Sequence, residues 1–262
     1  MPRANRYFTP NHVWHITHRC HKKEFLFKFA RDRRRWRYWL FEARKRYNLC
    51  VLNYIVTSNH IHLLVKDRGN GEIPKSMQLV AGRTAQEFNI RKKRKGAFWE
   101  DRYHATAVDT ENYLARCMAY IDLNMVRAGV VRHPGEWQLS GYREIQDPPV
   151  RYAVIDQSAL LDLFGIRNPV QFRHVCQEWI EASLRSEQQI RNSEWSESLA
   201  IGRPEFIDSI KEELAVRGMF RESIATESGQ LLKETPATYE AVFTDKMTCL
   251  RGDNRVTVRW TT

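Results

Sequence analysis

The mixed apolar and polar run His12-Val-Trp-His-Ile-Thr-His18 is the first strand candidate. Residues 29–47 change to helical spacing, with Trp36, Leu40, Ala43 and Tyr47 on one stripe and arginines on the rest. Two apolar runs follow, 51–57 and Asn59-His-Ile-His-Leu-Leu-Val65, separated by a turn at Ser58 and Asn59. Together they read as an antiparallel hairpin. Gly69-Asn-Gly71 breaks the chain, and Pro74 can open a second helix running to about 91. A short strand at 104–108 and a third helix at about 110–127 complete the first part. Asp109 suits that helix as N-cap and Gly129 as its stop. The order β-α-β-β-α-β-α predicts an α+β fold, an antiparallel sheet with helices on one side.

Pro134 and Asp147-Pro-Pro149 mark a boundary near 148. The expected division is 1–148 for the first domain and 149–262 for a mainly helical C-terminal extension. Helices are expected there at about 156–164, 169–186 and 204–217. Gly202-Arg-Pro-Glu-Phe206 opens the last of them, and a second DNA-binding element in the extension is one reading of it. The tail 219–262 is polar and weakly patterned, with one edge-strand candidate at 256–260, and is read as flexible.

Charge changes the picture. The chain of 262 residues has a formal net charge of +11, but residues 1–150 hold 28 Lys/Arg against 14 Asp/Glu, and the remainder 14 against 17. The first part is therefore the candidate nucleic-acid face. Five scattered cysteines with no C-x-x-C pair argue for reduced thiols in a cytoplasmic protein. No apolar run approaches the roughly 20 residues that cross a bilayer, and no signal peptide is apparent.

Candidate chemistry centres on His60 and His62. On a strand, residues i and i+2 share a face, so both imidazoles project together. Two such rings can hold a divalent metal. In the third helix Leu114, Met118, Ile121 and Met125 form a core stripe, and Tyr113, Cys117, Tyr120 and Asn124 form its neighbour. Tyr120 and Asn124 lie one turn apart and offer a phenol nucleophile and a third metal ligand. A phenol with a pKa near 10 is a weak nucleophile unless a metal polarises the phosphate it attacks. Tyr113 and Tyr103 are rival nucleophiles. His12, His15, His18 and His21 read as polar or DNA-facing residues. The basic blocks offer Arg33, Arg34, Arg35, Arg37, Arg91, Lys92, Lys93, Arg94, Lys95 and Arg102 for phosphates. Interleaved aromatics, Trp99 among them, suit stacking on unpaired bases.

Asn59-His-Ile-His-Leu-Leu, Phe98-Trp-Glu-Asp-Arg-Tyr103 and Tyr120-Ile-Asp-Leu-Asn-Met-Val-Arg-Ala-Gly129 together resemble the REP-associated tyrosine transposases, which are single-tyrosine HUH transposases. The resemblance covers roughly residues 5–146. It implies a ferredoxin-like core and recognition of a DNA hairpin with a single-stranded flank. It also implies Mg²⁺ or Mn²⁺ at His60, His62 and Asn124, and Tyr120 as the nucleophile that takes a 5′-phosphate and leaves a 3′-hydroxyl. Met125 stands where that family often has proline, and Thr57-Ser58 where it often has Met-Pro. Two other readings remain: a catalytically silent DNA-binding protein acting on repeats, and a nickase of the replication or conjugation type. Monomer and homodimer are both open.

Overall fold

The computed structural model describes residues 8–110, 112–186, 194–214, 221–226 and 229–234. Its first half alternates as the sequence pattern predicts. Strand β1 (Val13–Arg19) leads to α1 (Ala30–Tyr47), the hairpin β2 (Cys50–Val56) and β3 (His60–Lys66), α2 (Glu72–Lys92) and β4 (His104–Val108). These four strands lie in the order β2-β3-β1-β4, all antiparallel, which is the ferredoxin-like arrangement. The Trp36, Leu40 and Ala43 stripe of α1 is buried, and Asn48 ends the helix in the left-handed conformation. Helix α2 starts at Glu72 with Pro74 in its first turn, and the Glu72 carboxylate accepts the backbone N–H groups of Arg68 and Asn70 just before it.

The two faces of the sheet carry different partners. Tyr54 meets Trp36 of α1, and His18 stacks on Trp99, whose indole donates to Ala81 O of α2. So α1 and α2 cover one face. On the other face Asn53 donates to Asp122 at the end of α3 (Asn112–Asp122). The sheet is therefore covered on both sides, because α3 buries its own stripe of Leu114, Met118 and Ile121 against the second face. Helix α4 (Asn124–Arg127) continues α3 after a backbone adjustment at Leu123, and Gly129 follows with φ +66°. Helix α3 is described from Asn112, and the Asp109 carboxylate accepts from Thr110 N just before it. The same carboxylate also accepts a two-pronged pair from Arg203.

Beyond 130 the chain first borders β2. Ser140 bridges Ile55, α5 (Gly141–Gln146) brings Glu144 onto Tyr54 and Arg37, and Asp156 N donates to Val51 O. Helices α6 (Gln157–Phe164), α7 (Pro169–Arg185) and α9 (Pro204–Leu214) match the expected helical extension, with the short α8 (Glu194–Glu197) before the last. The extension is not only helical. Strand β5 (Ala200–Gly202) pairs parallel to β4, and the hairpin β6 (Arg221–Thr226) and β7 (Gly229–Glu234) pairs onto β5. Residues 221–226 and 229–234 thus have structure that the polar pattern did not announce, and the strand candidate at 256–260 lies outside the described residues. Cys20, Cys50, Cys117 and Cys176 are buried free thiols, and burial raises each thiol pKa. Among the described residues no helix is long and apolar enough to cross a membrane.

Candidate active site

The turn between β2 and β3 delivers the first imidazole. The Thr57 hydroxyl accepts the backbone N–H groups of Asn59 and His60, which fixes the start of β3. His60 Nδ1 lies 2.7 Å from Asn59 Oδ1 and 3.0 Å from Thr57 Oγ1. Asn59 Nδ2 donates to Lys23 O at 3.2 Å. A backbone carbonyl only accepts, so the amide's Oδ1 is the atom turned to His60. His60 therefore carries its proton on Nδ1 and its lone pair on Nε2. Thr57, where the resembled family often has methionine, contributes directly to holding this ring.

The second imidazole is held from beneath. His62 Nδ1 lies 2.9 Å from Nε2 of His15, and His15 Nδ1 lies 2.8 Å from Trp195 O. Both rings are buried, His15 completely. Burial pushes the His15 pKa down to about 3, against a partial opposing pull from the Trp195 carbonyl. His62 is held well below the ordinary histidine value, first by burial and then by neighbouring His60, His15, Arg127 and Arg19. Both rings are neutral at pH 7, the state that ligation requires.

Helix α3 and its continuation then close over the pair. Asn124 Nδ2 donates to His62 Nε2 at 2.9 Å, and the Tyr120 ring stands edge-on to His62 with centroids 5.7 Å apart. The one-turn spacing of Tyr120 and Asn124 thus survives the adjustment at Leu123. The tyrosine helix sits on the histidines of its own chain. The guanidinium of Arg127 lies 4.2 Å from the centre of the Tyr120 ring and donates to Tyr120 O. Tyr120, His60, His62 and Asn124 line one cleft of about 560 Å³ together with Arg19, Lys23, Arg102 and Arg127. Tyr103 and Tyr113 lie outside it. Tyr103 is buried near Phe8, and the Tyr113 hydroxyl sits against Gly229.

Among the described residues no group of three or more His, Cys, Asp or Glu side chains is placed to hold a metal. A cation here would have two imidazoles and the Asn124 amide. Both imidazoles have their lone pairs on Nε2, so the set fits once the Asn124 amide turns to offer Oδ1 in place of Nδ2. Water and phosphate oxygens complete the shell of such hard cations.

The basic blocks are divided in use. Arg33 donates to the carbonyls of Phe27 and Lys28 and lies over Trp137. Arg35 pairs with Glu87, Arg37 with Glu144 and Tyr54, and Arg91 with Asp32. Arg94 holds Ala97 O and Glu24. Trp99 is half-buried against His18, 3.9 Å between ring centres. Arg34, Lys92, Lys93, Lys95 and Arg102 are exposed. Sequence reading missed Asn59, His15, Arg19, Lys23 and Arg127 as site residues. Arg127 had a signal, since positions 120, 124 and 127 share a helical face. His15 had none beyond being one histidine of four.

Residues 9–124 match the family model described as IS200-like transposase. No curated protein sequence matches the chain. Among solved structures, a REP-associated tyrosine transposase bound to a REP hairpin is 17% identical with a TM-score of 0.48, covering 61% of this chain and 96% of that one. A Deinococcus radiodurans R1 protein assigned as a transposase is 15% identical with a TM-score of 0.32, covering 46% and 95%. Neither likeness is close enough to bear on function.

Proposed function

We propose that this chain, whose residues 9–124 match the family model described as IS200-like transposase, cleaves and rejoins single-stranded DNA through a 5′-phosphotyrosine at Tyr120. The observation that carries this reading is the seating of Tyr120 and Asn124 on His62 within one basic cleft. The proposed substrate is a DNA hairpin with a single-stranded flank.

In the proposed reaction the Tyr120 Oη–P bond forms and the P–O3′ bond breaks, and the phenol's proton is balanced by the one the new 3′-hydroxyl gains. Arg19, Lys23 and Arg127 line the cleft and neutralise phosphate charge as the strand enters. The Arg127 cation on the Tyr120 ring favours the phenol's anionic form through the ring's negative face. The Thr57–Asn59 turn and His15 hold His60 and His62 with Nε2 presented, and Asn124 supplies the third donor. A bound Mg²⁺ or Mn²⁺ would draw charge from the scissile phosphate. Rejoining is the reverse step, attack by a 3′-hydroxyl on the phosphotyrosine, which conserves the bond energy.

The test is cleavage of single-stranded hairpin oligonucleotides, drawn from repeats flanking the gene, by wild type and His62→Ala with Mn²⁺. Metal-dependent cleavage lost in the variant supports the reading. Tight binding with no cleavage on any such substrate overturns it in favour of a silent DNA-binding protein.

A further inference from the structure

His15 is a fully buried histidine whose two nitrogens both have partners. The direction of each bond follows from chemistry alone. Trp195 O can only accept, so His15 Nδ1 carries the proton. The neutral ring then has its lone pair on Nε2, and His62 Nδ1, 2.9 Å away, must donate to it. His62 is left with its lone pair on Nε2, the atom that faces the cleft and Asn124. One backbone carbonyl thus sets two tautomers in series.

That carbonyl does not come from the transposase-like part of the chain. Trp195 lies in α8, beyond the residues 9–124 that match the family. The segment is fastened to the sheet at several points. Thr106 Oγ1 donates to Ser198 O at 2.6 Å, Ala107 N to Leu199 O at 2.8 Å, and Leu199 N to Leu232 O at 2.7 Å. The Trp195 ring is buried and lies 6.0 Å from the Tyr120 ring. The anchor is therefore built into the fold.

We propose that His15 is a positioning residue that relays the Trp195 carbonyl of the C-terminal extension to His62, locking the tautomer that presents His62 Nε2 as a metal ligand. The inference rests on the metal-site reading above. Without the acceptor at His15, His62 can carry its proton on Nε2, the ligating atom, and its ring loses one anchor. The extension is on this account part of the metal site. Partners of this kind, one bond behind a ligand, typically change metal affinity by about 10- to 100-fold when removed.

The experiment uses the full chain with ¹⁵N-labelled histidine, free of metal. Long-range proton–nitrogen correlations read which ring nitrogen of His15 and His62 carries hydrogen, and calorimetric titration with Mn²⁺ reads affinity. Wild type is expected to show both rings protonated on Nδ1 and bare on Nε2. His15→Phe keeps the ring's bulk and lacks the acceptor. It should show His62 exchanging between tautomers and Mn²⁺ binding weaker by about 10- to 100-fold. His15→Gln, whose side-chain oxygen can accept from His62, should restore much of both. A wild-type His62 protonated on Nε2 overturns the proposal, as does a folded His15→Phe with unchanged tautomer and affinity. The wild-type spectrum and His15→Gln decide the matter if His15→Phe fails to fold. If the tautomers are as expected and wild type binds neither Mn²⁺ nor Mg²⁺, the relay stands and the metal-site reading falls.

Discussion

Replacing Asp122 with asparagine is expected to stabilise the protein at pH 8 and to change little at pH 4. Asp122, the last residue of α3, is buried, and its carboxylate accepts from Asn53 Nδ2 at 2.9 Å. Burial raises its pKa from 3.8 to about 7, against partial opposition from Asn53 and the Tyr142 backbone. The folded pKa lies above the unfolded one, so the folded state holds the proton across that window. Asp122's contribution is therefore most favourable below pH 4, is lost as pH rises toward 7, and is flat above. A shift of this size corresponds to about 4 kcal/mol at roughly 1.4 kcal/mol per unit. Asparagine has nearly the shape of the protonated acid, can still accept from Asn53, and does not ionise. At pH 8 the variant should gain about 2–4 kcal/mol, or roughly 5–15 °C in Tm for a chain of this size. Thermal unfolding by circular dichroism with a chelator present, at pH 4, 6 and 8, gives the difference directly. An equal Tm difference at pH 4 and pH 8, or a lower Tm for the variant at pH 8, would refute the reasoning.

Three further outcomes follow from single positions. A Cβ on Gly141 would collide with Asn53 Oδ1 and come within 2.9 Å of Tyr54 N, so Gly141→Ala should cost about 1–3 kcal/mol; an unchanged urea midpoint would contradict this close approach. His15 has a folded pKa of about 3 against 6.5 for the free side chain, so stability is lost as pH falls through 6.5 and the unfolded ring takes up its proton. His15→Gln should flatten the fall of Tm between pH 6.5 and 4, and an equally steep fall would show that His15 is not held neutral. Arg127→Gln removes the cation over the Tyr120 ring and should slow single-turnover cleavage about tenfold or more. A rate equal to wild type would take Arg127 out of the reaction.

The ferredoxin-like half was legible because its signals are local. The alternation around His60 and His62, the Ser58-Asn59 turn and the Leu114–Met118–Ile121 stripe each lie within a few residues, and the stripe is buried as its spacing implies. The proposed ligands and Tyr120 were legible for the same reason. His15 was not, because its meaning comes from Trp195, 180 positions away. The β6–β7 hairpin escaped notice because Arg221-Glu-Ser-Ile-Ala-Thr226 has no apolar alternation. Among the described residues its partner strand buries the adjacent pair Leu231 and Leu232, and that strand pairs to β5. Several arginines of α1 looked like a DNA surface by charge alone. Glu87, Glu144 and the carbonyls of Phe27 and Lys28, which hold Arg35, Arg37 and Arg33, are invisible to local spacing in α1.

The central claim is that Tyr120 joins covalently to DNA. The most direct measurement is to incubate the protein with a single-stranded hairpin substrate and Mn²⁺, then locate any nucleotide adduct by mass spectrometry of the digested protein. The account expects a 5′-phosphate ester on Tyr120, dependent on metal and absent in Tyr120→Phe. An adduct on Tyr113 or Tyr103, or cleavage that persists in Tyr120→Phe, would contradict it.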